Sequence, residues 1–342
     1  KERYGYDLLE VLPELFFVVD DEPWSKVRRD FRDCLCWCFT ESLIRPLADW
    51  CSKHGRELSG HLPYAATLRS QTAWIGSVMR ASEPMQSPGV EILMAQGLQR
   101  TGHRPPEYST IKQCASVQHQ MGRRWLMSEM YGCTGWQLTL AEHKAIGDWQ
   151  AAMGVNRRSQ HLAWYSMHGT AKRDFPGSLC GHSPWWRDYP VVEDYFARLQ
   201  VLLSQGTPIR EVAILHPIES AWGYFTGQES APLDDMEGQL SSLVHWLLQD
   251  HYDFDFIDEA LLGSHGKVTG RILQVGQAAY RTLIIPPLVT IRRQTLAMLS
   301  DWQAAGGQLI LIQPVATRVD GVRANGLRQL AERCRQVPLQ RA

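Results

Sequence analysis

From Arg210 onward the chain alternates short aliphatic runs with amphipathic stretches, and no other feature limits its possible folds so tightly. REVAILHPI (Arg210 to Ile218) is an unbroken buried-strand run, and YDFDFID reads as the next strand by alternation. Between them, Met236 to His251 carries Leu240, Leu243, Val244, Leu247 and Leu248 at helical spacing. RTLIIPPL (Arg281 to Leu288) predicts a third strand. Ile291 to Ala304 predicts an amphipathic helix stopped at Gly306-Gly307, and QLILI (Gln308 to Ile312) a fourth strand. Strands without a polar face must be covered on both sides, so this run predicts a parallel sheet flanked by helices.

Upstream of about Gly206 the pattern changes to helices rich in Trp and His. Short apolar segments separate them, each ending in polar residues or glycine: RELSGHL, RWLMSEMYG and NRRSQHLAWYSMHG. In RWLMSEMYG, Glu129 stands where a strand-like run gives way to a Tyr-Gly turn, which places an acid at the carboxyl edge of a strand. His61 and His161 fall at the ends of the other two segments.

Charge and composition narrow the function classes. The 35 lysines and arginines against 36 aspartates and glutamates make no broad basic field, which argues against nucleic acid as a partner. No run approaches the roughly 20 apolar residues of a membrane-spanning helix, so no membrane partner is expected. The 13 Trp, 11 Tyr and 12 His suit neutral polar ligands such as sugars as well as they suit a core. The cluster CLCWC (Cys34 to Cys38) lacks the C-x-x-C spacing of structural zinc and lies in a helical segment. Reduced thiols are the expectation, which leans towards a cytoplasmic protein. The chain opens on Lys1-Glu2-Arg3, without Met, and enters YDLLEVLPELFF as if cut from something longer. It is expected to be a fragment whose open strand edges make it poorly soluble or inactive alone.

From Glu129 to about Gly206 the sequence resembles the last part of the (β/α)8 barrel of clan A type glycoside hydrolases. The following α/β unit is similar to the trimerisation domain of family 42 β-galactosidases. The features that match run in order: a strand ending in Glu129, a loop with Trp136, a helix through His143 to Met153, and GVNRRSQHLAWYSMHG as the closing strand. KRDFP, GHSPWW and the helix VVEDYFARLQVLLSQG then lead into REVAILHPIESAW. Large rhamnosidase-like hydrolases share this run, together with Gly60-His61 and SPGVEIL (Ser87 to Leu93) upstream. The resemblance implies an α/β chain with three parts. Residues 1–205 form the C-terminal part of a TIM barrel, 206–313 a flavodoxin-like (class I amidotransferase-like) parallel domain, and 314–342 a tail or the start of a further unit.

It also implies a glycosidase, and barrel enzymes carry their reacting groups at the carboxyl ends of the strands. Glycoside hydrolysis needs two carboxyl groups. Glu129 takes the nucleophile's strand and acts as nucleophile or base. For the second acid the sequence offers Glu83, in the loop-like RASEPMQSPG, because LPYAA follows His61 where the related hydrolases carry acids. Glu142 opens a helix, where capping charge is the simpler explanation. His61 and His161 can hydrogen-bond sugar hydroxyls, and Trp136, Trp185 and His182 offer rings and an imidazole from loops. Trp164 and Tyr165 alternate on the closing strand, so one faces the barrel interior.

Rival chemistries lack their residues. No cysteine lies between Cys180 and Cys334 to serve an amidotransferase, and no G-x-G-x-x-G turn follows Ile214 or Ile284 to hold a dinucleotide. H-x-H and H-E-x-x-H spacings are absent, so neither metal nor cofactor is expected. A carbohydrate substrate, possible self-association through the α/β domain, and a second reading as an inactive sugar-binding or scaffold relative complete the expectations.

Overall fold

The computed structural model describes residues 1–93, 106–170, 173 and 179–340. Its first sheet holds four parallel strands: β1 (Ser59–Gly60), β2 (Ser87–Ile92), β3 (Met127–Met130) and β4 (Arg157–Gln160). They lie side by side in chain order, as in one half of a (β/α)8 barrel. Helices α1 (Lys26–Phe39) and α2 (Arg45–Lys53) precede the sheet. α3 (Leu68–Trp74), α4 (Val78–Ser82), α5 (Pro106–Gln120) and α6 (Leu140–Ala152) cross between its strands, and α7 (Tyr189–Leu203) follows it. The middle of the sheet is packed closely at Gly89 on β2. A Cβ there would stand 2.7 Å from the Gly60 carbonyl oxygen and 2.9 Å from the Met127 side chain, so only glycine lets three strands approach this way. The sequence KRDFP falls largely outside the described residues.

The second sheet has five parallel strands: β5 (Val212–Leu215), β6 (Phe254–Ile257), β7 (Thr282–Ile285), β8 (Gln308–Ile312) and β9 (Arg335–Val337). Their spatial order is β9-β8-β7-β5-β6. The aliphatic runs form these strands because both faces are covered by α8 (Ile218–Tyr224), α9 (Ala231–Gln249), α10 (Glu259–His265), α11 (Arg293–Ala304) and α12 (Gly326–Ala331). The run after Gln313 is no tail, because it supplies β9, and Leu327, Leu330 and Ala331 of α12 are buried in the sheet's core. Between α10 and β7 the chain also forms an antiparallel meander (Gly266–Thr269, Ile272–Val275, Ala278–Tyr280) that the apolar pattern did not reveal.

The two sheets share one apolar layer, in which Cys36, Leu68, Met79 and Val117 meet Ile214, Trp222, Phe254 and Phe256. α5 is buried almost throughout its described length and covers the open edge of β6. Ser116 Oγ accepts from the Phe256 amide at 2.7 Å, and Gln120 Nε2 donates to the Phe256 carbonyl at 2.7 Å. Side chains thus satisfy backbone groups that an edge strand would otherwise leave open. A buried ionic cluster joins α1, α4 and the second sheet. Arg80 donates to Asp258 at 2.8 Å, to Asp33 at 2.7 Å and to Glu219, while Arg29 and Arg292 also bind Glu219. Burial opposes the Arg80 charge, and the carboxylates of Asp258, Glu219 and Asp33 more than offset it, so the guanidinium stays ionised.

Candidate functional site

Three polar side chains meet at the carboxyl end of the half-barrel. β2 is buried along its length except for Glu91. Glu91 pairs in register with Glu129 on β3, so both side chains point to the same face of the sheet. His61, directly after β1, reaches both acids. Its Nε2 donates to Glu129 Oε2 at 2.5 Å, and its Nδ1 lies 3.4 Å from Glu91 Oε2 without the alignment of a hydrogen bond. From the far side His161, following β4, brings its Nε2 to 3.9 Å from Glu129 Oε1. Gly132 makes that approach possible, because a Cβ there would stand 3.1 Å from the His161 ring. The site is open to solvent, with about a quarter of the Glu129 and His61 side chains exposed.

The arrangement supports two kinds of chemistry. A carboxylate held by an imidazole can accept a proton from water or a hydroxyl. One donor atom each from His61, Glu91 and Glu129 also lie within 4.8 Å of one another, a spacing that can hold a divalent cation. The buried, unbonded Nδ1 of His61 fits that use. The three donors come from separate segments, the residue after β1 and the strands β2 and β3, so no local spacing in the sequence announces them.

The remaining expected residues fall in several places. Glu83 is not brought to Glu129. It caps α4 at the amino end of β2, where Arg45 donates to it at 3.0 Å and His265 at 3.2 Å. Glu91 supplies the neighbouring acid, and its signal was present: a glutamate near the end of a buried run, as in the segment of Glu129. Glu142 forms a capping box with Thr139, whose amide donates to the carboxylate at 2.8 Å. β4 ends at Gln160, so Trp164 and Tyr165 lie in a loop and do not alternate on a strand. Tyr165 is fully exposed. Trp136 is 40% exposed and lies parallel to Trp164 with ring centroids 6.3 Å apart, both rings on loops that follow the strand ends. Trp185 is a plug: its Nε1 donates to the Leu138 carbonyl at 3.1 Å and its ring packs edge-on against buried His143. His182 is exposed, with its Nδ1 3.8 Å from Cys180 Sγ.

Residues 1–334 match the alpha-L-rhamnosidase family of glycoside hydrolases, family 106. The chain is 25% identical over 317 residues to a putative beta-glucuronidase of Formosa agariphila, covering 91% of this chain and 24% of that protein. Among solved structures, a rhamnosidase from Novosphingobium sp. PP1Y superposes with a TM-score of 0.58 at 19% identity, over 90% of this chain and 27% of that one. A family 42 beta-galactosidase from G. stearothermophilus gives 0.62 at 14% identity, over 89% and 44%. The chain therefore spans about a quarter of the length of the curated relative and of the solved rhamnosidase.

Proposed function

The chain belongs to the alpha-L-rhamnosidase family of glycoside hydrolases, family 106, and from that premise we propose that it carries the proton-accepting wall of a site that hydrolyses terminal α-L-rhamnosides. The observation that carries this reading is the Glu129 carboxylate, held at a barrel-strand end by His61 at 2.5 Å. In the proposal Glu129 is the general base. Each of its oxygens faces an imidazole, His61 on one and His161 on the other. A carboxylate engaged in this way is better set to take a proton from water than to bond covalently to an anomeric carbon. Hydrolysis then inverts the anomeric centre.

Glu91 is assigned a positioning role. It stands on the same wall as Glu129 and shares His61, whereas a proton donor to the leaving oxygen must lie across the scissile bond. That donor comes from outside this cluster. Trp136 is read as a face for the sugar ring. The second unit, from residue 206, has the strand order 2-1-3-4-5 counted from its own first strand, the order of flavodoxin-type sheets. That order supports a flavodoxin-like module with a structural or self-associating role.

The test is hydrolysis of p-nitrophenyl α-L-rhamnopyranoside by wild type and Glu129→Gln. A loss of about a thousandfold in kcat with an unchanged melting temperature supports the reading. Retained activity in the variant overturns it.

A further inference from the structure

Glu83, set apart from the catalytic cluster, lines a cavity at the opposite end of β2. This cavity holds about 480 Å³ between the α1–α2 rod and the second sheet. Its floor is made by residues that follow β6 and β7, among them His265 and Gln294. It therefore opens beside the carboxyl ends of a parallel sheet, where doubly wound folds take their ligands.

The helical wall is built by an irregularity. Between α1 and α2 the chain makes a π-helical turn, Thr40–Ile44, in which the Arg45 amide donates to the Thr40 carbonyl. Such turns recur at functional sites. Here Trp37, Glu41 and Arg45, four residues apart in sequence, all face the cavity. Their polar groups form one chain: Arg45 Nε donates to Glu41 at 2.9 Å, another of its nitrogens to Glu83 Oε2 at 3.0 Å, and His265 Nε2 to Glu83 Oε1 at 3.2 Å. Trp37, 48% exposed, adds an indole ring over which the Arg3 guanidinium stands at 4.9 Å from the centroid.

The geometry points to a second carbohydrate site, remote from Glu129, in which Trp37 presents its ring to a neutral mono- or disaccharide and the Glu41–Arg45–Glu83–His265 chain binds its hydroxyls. Charge selects the ligand class. The lining carries Arg3, Arg45, Arg80 and Arg292 against Asp33, Glu41 and Glu83, so guanidinium and carboxylate groups nearly offset one another and leave no strong field for a multiply charged ligand. Ionised groups held in a chain still make strong hydrogen bonds to hydroxyls. A sugar as the occupant rests on the rhamnosidase reading.

The experiment is calorimetric titration of the full chain with L-rhamnose, alongside the hydrolysis assay. Wild type should show two binding events. Trp37→Ala and Glu83→Gln should each weaken one of them about tenfold or more while leaving hydrolysis unchanged, and His61→Ala should remove only the other. Glu41→Gln, at a partly exposed position, gives a mild variant should the others unfold. An isotherm that Trp37→Ala, Glu83→Gln and Glu41→Gln all leave unchanged overturns the proposal. Absence of hydrolysis with a Trp37-dependent binding event would overturn the catalytic reading and leave this site standing.

Discussion

Glu91 and Glu129 stand directly opposite each other on β2 and β3, and the His61 imidazole touches both. Two acids on one wall cannot act from both sides of a glycosidic bond. We predict different kinetic signatures for their amides. Glu129→Gln should lower kcat by about three orders of magnitude. Glu91→Gln should cost about 10- to 100-fold, as loss of a group that orients another does. Proton NMR of the first-formed sugar should show the inverted anomer for wild type and Glu91→Gln alike. Retention in the wild type would mean that Glu129 attacks the anomeric carbon itself and would overturn its role as general base.

The same three side chains set up a competition, because a cation on His61 Nε2 and Glu129 Oε2 must displace the hydrogen bond between them. Two carboxylates favour hard ions and an imidazole favours zinc-like ones. Calcium or zinc is expected to raise the melting temperature saturably, because a ligand that binds only the native state stabilises it by mass action. Glu91→Ala should abolish the shift and EDTA should reverse it. An equal shift in wild type and variant would place the ion elsewhere.

The second sheet was legible because three of its first four strands are local aliphatic runs and the remaining one, FDFI, alternates aromatic with acidic residues, so each leaves a mark along the chain. β9 was not: Arg335–Val337 reads RQV, a short polar edge strand fixed only by pairing with β8. In the half-barrel, Glu129 was visible as an acid closing an apolar run. Glu91 carries the same mark in SPGVEIL, whereas Glu83 stands out along the chain only through its loop-like Ser, Pro and Gly neighbours in RASEPMQSPG. Strand-to-strand register made Glu91 a neighbour of Glu129, and no spacing along the chain encodes that.

Arg80 is the hub of the ionic cluster between the two sheets, with three carboxylates around one guanidinium. Removing it leaves Asp33, Glu219 and Asp258 buried with too few cations. Arg80→Met is therefore expected to destabilise the fold by about 3–5 kcal/mol, read from urea midpoints. Arg80→Lys should recover only part of this, since an ammonium cannot span three partners in a plane. A loss below about 1 kcal/mol in Arg80→Met would show that the cluster behaves like a solvated surface network.

His216, just after β5, is fully buried, its ring edge-on to Phe256 with centroids 5.1 Å apart. Neither ring nitrogen has a hydrogen-bond partner among the described residues. Burial pushes its pKa down from 6.5 to about 4. Between those values the unfolded chain binds a proton that the native chain does not, so stability rises with pH across this window. The contribution is complete above about pH 6.5 and is lost as pH falls towards 4, up to about 3 kcal/mol at 1.36 kcal/mol per unit. His216→Leu removes the titration. Its urea midpoint should fall less than that of wild type between pH 7 and pH 4, and parallel losses in the two proteins would refute a neutral buried imidazole at this position.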